Sequence, residues 1–306
     1  ARFSPKLATW HSFKELVGYG GQTLFIHLSM LLITRKDIIL IASFWGVAYV
    51  PFYAFGRILV QNLTFACLAV TQPLRPNLLL HWTRGEKDQA YEVYYTGARY
   101  SAFVAGMLTA FLAAYGSDVL RLWVGPRFVQ GSFLFRADIV LLLLLFANLP
   151  RLLHSISWQF LYATNNQKGL TILLVCEAAV NLVLSFLLVK PYGLVGLGIS
   201  SVVPMVLSHL INVPLLIRRL LGASVKRFLI DGVSRPLAGA VGIFVLGYVM
   251  RSMYPVHGWT ELSVQGGLLG GLALLYGVFI VATQRDRQLL MNKFRRVPFS
   301  IRAVTS

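Results

Sequence analysis

Two long apolar runs in the middle of the chain, Leu170 to Val189 and Leu194 to Ile217, constrain the fold more than any other feature. Each is close to the roughly 20 residues an α-helix needs to cross a bilayer core. Lys190-Pro191-Tyr192-Gly193 joins them. Proline cannot continue a helix and glycine tolerates the backbone angles that end one, so the pattern predicts a hairpin of two membrane helices. Glu177 and Asn181 fall inside the first arm, four residues apart and therefore on one face. A carboxylate at that depth costs about 2–3 kcal/mol on insertion scales and requires a partner or water.

The remainder of the chain reads in the same way. Of 306 residues, 57% are hydrophobic and 13% charged, against about a quarter charged in a soluble domain. The formal net charge of +17 could suggest nucleic acid. However, the basic residues punctuate the ends of apolar spans instead of forming one patch, so nucleic-acid binding is not expected. Further spans are expected over Phe13–Leu40, Phe44–Val70, Tyr94–Tyr115, Ala137–Tyr162, Pro236–Met253 and Leu262–Ala282. That gives an all-α polytopic transmembrane helix bundle of about eight spans. Arg35-Lys36-Asp37 interrupts the first span and is placed at an interface or in a wet cavity; Pro51 is expected to kink the second. The polar stretch from Thr71 to Glu92 reads as a loop, Thr164–Lys168 as a tight turn, and Arg218–Arg235 as a basic amphipathic segment at the membrane surface. Counting Lys and Arg on alternate sides puts both termini in the cytoplasm. No signal peptide pattern opens the chain.

The divisions expected are a six-helix transmembrane lobe over residues 1–221, a basic interfacial segment over 222–235, two additional transmembrane helices over 236–284 and a basic cytoplasmic tail over 285–306. Cys67 and Cys176 show no metal or disulfide spacing and read as packed free thiols. His27 and His209 stand alone on apolar faces and read as packing residues with one hydrogen bond; no metal and no cofactor is implied. Gly193-x-x-Gly196-x-Gly198 and the two interleaved GxxxG pairs of Gly266, Gly267, Gly270 and Gly271 read as sites of close helix approach. No nucleophile elbow, phosphate-cradling loop or metalloprotease motif is present, so nothing points to an enzyme.

Five residues are candidates for a binding site. Arg57 lies well inside the second span, too far from its ends for easy snorkelling. It either holds an anionic group in a central cavity or pairs with Glu177, and both readings require it to face the bundle. Glu177 and Asn181 either bind a polar group of a substrate, relay protons or join helices. Arg151 and His154, three apart beside Pro150, form a cationic wall if they face inward and meet headgroups if they do not.

The order of several short segments resembles a known family. These are Gly21-Gln22, Asp37-Ile38-Ile39, Tyr53-Ala54-Phe55-Gly56-Arg57, Gly85-Glu86-Lys87-Asp88, Leu122-Trp123-Val124-Gly125, Leu161-Tyr162-Ala163-Thr164-Asn165-Asn166, Glu177 through Leu182 and Tyr192 through Ile199. The succession, covering roughly Phe13 to Leu221, resembles the bacterial lipid-linked oligosaccharide flippases of the multidrug and oligosaccharidyl-lipid exporter superfamily. The resemblance implies about twelve to fourteen helices in two lobes, with a central cavity that alternates between membrane faces. This chain aligns with the C-terminal lobe plus two trailing helices, which implies a missing N-terminal lobe or a second membrane chain as partner. Location in the cytoplasmic (inner) membrane of a bacterium follows. The implied substrate is a polyprenyl-pyrophosphate-linked glycan moved across the bilayer for cell-surface polysaccharide biosynthesis. Arg57, Arg151 and His154 would meet the pyrophosphate, with Glu177 and Asn181 a polar site in the same lobe. Alternatives are a cation-coupled multidrug exporter of the same superfamily, which would favour acidic cavity residues, and a non-transporting membrane protein fragment. A polymerase or ligase would need a larger extracytoplasmic loop than Ser117–Phe135.

Overall fold

A computed structural model describes residues 10–283, with side chains from residue 20 onward. The basic tail at 285–306 and the N-terminal residues used in the charge count lie outside the described residues. Among the described residues eleven α-helices follow one another: α1 (Trp10–Phe44), α2 (Val50–Thr71), α3 (Arg75–Thr83), α4 (Lys87–Val124), α5 (Ala137–Leu153), α6 (Ser155–Ala163), α7 (Gln167–Leu207), α8 (Val213–Leu221), the single turn α9 (Val225–Arg227), α10 (Arg235–Met253) and α11 (Trp259–Tyr276). Short π-helical segments at Ser208–Asn212 and Phe228–Ser234 join α7 to α8 and α9 to α10, and a third, Gly277–Val281, extends α11. The chain is an all-α polytopic membrane bundle. Among the described residues, six helical stretches are long and apolar enough to cross a bilayer, against the expected eight or so spans. The longest, Gln167–Leu221, covers 55 residues, about 80 Å if straight, and so cannot be a single crossing.

It is not straight. Gly193 sits at φ 54°, ψ −136° inside α7, a conformation that side chains with a Cβ rarely adopt. The chain doubles back there into the hairpin expected from Pro191 and Gly193. Asn181 donates to the Ser200 carbonyl at 2.9 Å, and the Ser185 and Ser200 hydroxyls lie 2.8 Å apart across the two arms. Close approach depends on Gly196, where a Cβ would lie 2.2 Å from the Leu188 carbonyl oxygen of the facing arm. Gly266 plays a milder version of this role against Phe111 of α4, whereas Gly267, Gly270 and Gly271 face open space. Among the described residues, Gly266 alone of these four α11 glycines therefore sits against a neighbouring helix.

Packing runs as a chain of neighbours. α1 lies on α7, α7 on α5, and α5 on both α2 and α4; α10 covers the far side of α4, with α11 against α10 and α4. α1 and α2 make little contact beyond their connection, so a groove opens between them over α5 and the second arm of α7. Two buried apolar clusters lie on either side of α5, one around Tyr94, Phe160, Leu161 and Phe228, the other around Tyr53, Leu120, Leu141 and Leu194. Large apolar side chains such as Phe25, Phe65, Phe146, Leu187 and Phe279 point outward, as a surface solvated by lipid tails requires.

Several local expectations change. Pro51 occupies the first turn of α2, where its missing N–H would be unpaired in any case, so it starts the helix and does not kink it. The Thr71–Glu92 stretch is helical over α3 and resumes as α4 at Lys87. The interruption that Pro150-Arg151 and His154 mark in the fourth span does occur, and it falls at His154, one turn beyond Pro150. Of the two thiols, Cys67 is buried but Cys176 is exposed on the outer face of α7.

Candidate functional site

The site forms where helices bring together charges that lie far apart in sequence. α1 does not end at Arg35-Lys36-Asp37; it runs on to Phe44, and its rotation turns Lys36 and Asp37 inward while Arg35 stays exposed. Asp37 is 1% exposed and accepts from three donors. Lys36 Nζ lies 2.5 Å from Oδ1, the Tyr53 hydroxyl 2.5 Å from Oδ2, and Arg57 Nη1 3.5 Å from the same oxygen. Tyr53 and Arg57 are four apart on α2 and so present both donors from one face. Arg57 is thus bundle-facing as its position requires, but its carboxylate partner is Asp37, twenty residues away on α1, and not Glu177.

Lys36 also donates to Ser185 at 2.6 Å. Ser185 in turn bonds the Asn181 carbonyl and meets Ser200, so the α1–α2 charges connect by hydrogen bonds to the polar seam of the α7 hairpin. Asn181, fully buried, spends its amide on Ser200 and Ser201 in that seam. Glu177 lies one turn earlier with Oε2 3.8 Å from Nδ1 of His209, and it interacts electrostatically with Arg151. His209 makes its one hydrogen bond to the Met205 carbonyl at 3.0 Å.

A cavity of about 310 Å³ fills the groove between α1 and α2. Arg35, Arg57 and Arg151 line it with Asp37 as the one carboxylate, and Asn148 and Ser201 complete its floor. Three guanidinium groups against one carboxylate, in a setting poorly screened by water, make it electropositive and suited to an anion. Arg151 reaches it from α5, held by the Met30 sulfur at 3.1 Å and by the ring of Trp158, 5.5 Å from the guanidinium carbon.

His154 is not part of this lining. The break between α5 and α6 turns it toward the opposite side of α5, where it stacks on Phe228 at 4.5 Å and lies 3.2 Å from the Ser157 hydroxyl. The structure therefore brings Arg57 and Arg151 to one cavity, sets Glu177 and Asn181 in the hairpin beside it, and separates His154 from all four. Sequence reasoning did not select Asp37, Lys36 or Tyr53. The available signal was spacing: Lys36-Asp37 sits mid-helix once α1 is extended to Phe44, and Tyr53 and Arg57 share a face.

Fold and groove define a multi-pass all-α membrane protein with a cationic cavity between helices. Comparison with known proteins narrows the class. Residues 1–131, which include α1, α2 and the Asp37–Arg57 pair, match the family model described as polysaccharide biosynthesis protein. The chain is 24% identical over 312 aligned positions to the uncharacterized membrane protein EpsK of Bacillus subtilis (strain 168), a match covering 96% of this chain and 59% of that relative. The chain thus spans less than two thirds of the length of the curated relative it matches. No solved structure matches it. These matches bear out the resemblance read from the sequence, that of a membrane protein of the polysaccharide flippase family.

Proposed function

We propose that the chain is the C-terminal lobe of a flippase that moves a polyprenyl-pyrophosphate-linked oligosaccharide across the cytoplasmic membrane by alternating access, with both termini in the cytoplasm. The observation that carries this reading is the groove cavity itself, in which Arg57 and Arg151 converge from different helices with Asp37 as the only carboxylate in the lining. Moving a pyrophosphate through a bilayer requires replacing its water with fixed cationic donors, and guanidinium groups do this with two parallel hydrogen bonds. Arg57 suits exchange. Its contact with Asp37 is long at 3.5 Å, and Asp37 keeps Lys36 and Tyr53 when Arg57 leaves. The second wall of the transport cavity would come from an N-terminal lobe or another membrane chain. Glu177 and Asn181 act as polar joints of the hairpin behind the cavity.

Arg57→Ala in the full-length gene is expected to abolish surface export of the glycan while the protein stays inserted and abundant. Normal export by that variant would refute the anion role. Two of the buried carboxylates, Asp37 in the cavity lining and Glu177 in the hairpin beside it, favour a second reading, cation-coupled drug export. That reading predicts that Glu177→Gln abolishes drug efflux while Arg57→Ala preserves it.

A further inference from the structure

The groove has a second compartment of different chemistry. It measures about 260 Å³ and shares Met30, Thr64, Leu68 and Arg151 with the cationic cavity, so the two adjoin. Arg151 is its only charged lining residue. Its polar lining further includes His27, Gln72, Gln159, Ser155 and Tyr162, together with the shared Thr64.

The state of these groups is informative. Gln159 is only 7% exposed, yet among the described residues its side-chain amide makes no hydrogen bond. Trp158 is 8% exposed and its buried indole nitrogen has no hydrogen-bond partner. Its ring is held by Arg151 at 5.5 Å and by His209, parallel at 6.1 Å. Gln72 and His27, both exposed to the groove, are likewise without side-chain partners among the described residues. Polar side chains facing a groove take their hydrogen-bond partners from whatever fills it. A groove wall carrying the unpartnered amides of Gln159 and Gln72 suits a ligand that supplies the partners.

We propose that this compartment binds the sugar ring attached to the pyrophosphate, with the side-chain amides of Gln159 and Gln72 as its hydrogen-bonding groups. The inference rests on the anion reading of the neighbouring cavity. Neutral donors and acceptors in a mixed set suit hydroxyl and acetamido groups, each of which both donates and accepts. They do not suit a second phosphate, for which the cationic half of the groove is adapted. The volume is of the scale of one sugar ring and not of an oligosaccharide, compared with the roughly 300–1,000 Å³ that drug-sized ligands occupy. Arg151, at the junction, is placed to touch both the pyrophosphate and the first sugar.

The test uses purified full-length protein in lipid nanodiscs and two probes, farnesyl pyrophosphate and the same molecule carrying one N-acetylglucosamine on its pyrophosphate. Wild type is expected to bind the sugar-bearing probe about tenfold more tightly, the equivalent of one or two net hydrogen bonds. Gln159→Ala and Gln72→Ala should each remove most of that preference and leave the affinity for farnesyl pyrophosphate unchanged, which also shows that the variants are folded. If wild type shows no preference, or the variants keep the preference or weaken both probes alike, the sugar assignment is overturned. Arg57→Ala should weaken both probes equally. If it weakens neither while Gln159→Ala still abolishes the preference, the anion reading falls and the sugar compartment stands.

Discussion

Asp37→Ala is the most severe single change the structure points to. The carboxylate neutralises Lys36, which is 6% exposed, and accepts the hydroxyl of Tyr53, which is fully buried. Breaking a buried ion pair by removing one partner costs about 3–5 kcal/mol, because the other charge stays buried and uncompensated. The orphaned Tyr53 hydroxyl adds about 1–3 kcal/mol. Lys36 keeps its 2.6 Å bond to Ser185, so the low end of each range applies, and the expected loss is about 4 kcal/mol. Arg57 contributes little to this figure, being one-fifth exposed and 3.5 Å away. The assay is SDS-titrated unfolding in mixed micelles of the wild type, Asp37→Ala, Lys36→Met and the double variant. Lys36→Met leaves Asp37 with Tyr53 and Arg57 and should cost much less. The double variant should recover about 2 kcal/mol relative to Asp37→Ala, a coupling of the size contacting residues show. An Asp37→Ala protein within about 1 kcal/mol of wild type, or a coupling near zero, would refute the reading of this cluster as a buried, mutually compensated charge group.

Other outcomes follow from particular contacts. Gly196→Ala places a methyl against the Leu188 backbone oxygen, which no side-chain rotation relieves. It should destabilise by at least the roughly 1–3 kcal/mol of ordinary overpacking, seen as lower yield of folded protein and an earlier unfolding midpoint. Gly271→Ala, with open space around it, should be neutral or stabilising by up to about 1 kcal/mol through helix propensity, unless α11 docks against another chain. Asn181→Ala removes the amide bond to the Ser200 carbonyl and should cost about 0.6–1.7 kcal/mol, the range for polar contacts between membrane helices, while glycan export continues. At the far end of α4, Asp118 pairs with Arg121 at 3.0 Å and Arg251 at 2.5 Å, and Arg121 also donates to the Val256 carbonyl. Asp118→Asn should therefore speed hydrogen exchange at residues 254–258 by several-fold without loss of overall folding.

Much of the architecture is decided by sequence alone, because the cost of unpaired backbone in lipid leaves a long apolar run little choice but a helix. The α7 hairpin was legible for this reason: two spans' worth of apolar residues, a proline and a glycine permit only a reversal, and Gly193 provides it. The inward orientation of Arg57 was legible too, since a guanidinium so placed avoids the lipid face. Its partner was not. Which carboxylate meets Arg57 depends on the rotation of α1 about its axis and on its continuation to Phe44. Both are set by packing against α7, not by any local signal. A basic-acidic triplet ordinarily marks a span end, and here tertiary packing turned two of its three residues inward. The same holds for His154. Its spacing from Arg151 fixes a shared face only if the helix is continuous, and the break before α6 sends the two side chains to opposite sides of α5. Sequence thus determined which segments are helices and which residues lie too deep to remain unpartnered. Tertiary structure decided who partners whom, because helix rotation and the groove between α1 and α2 are properties of the packed bundle and of no single segment.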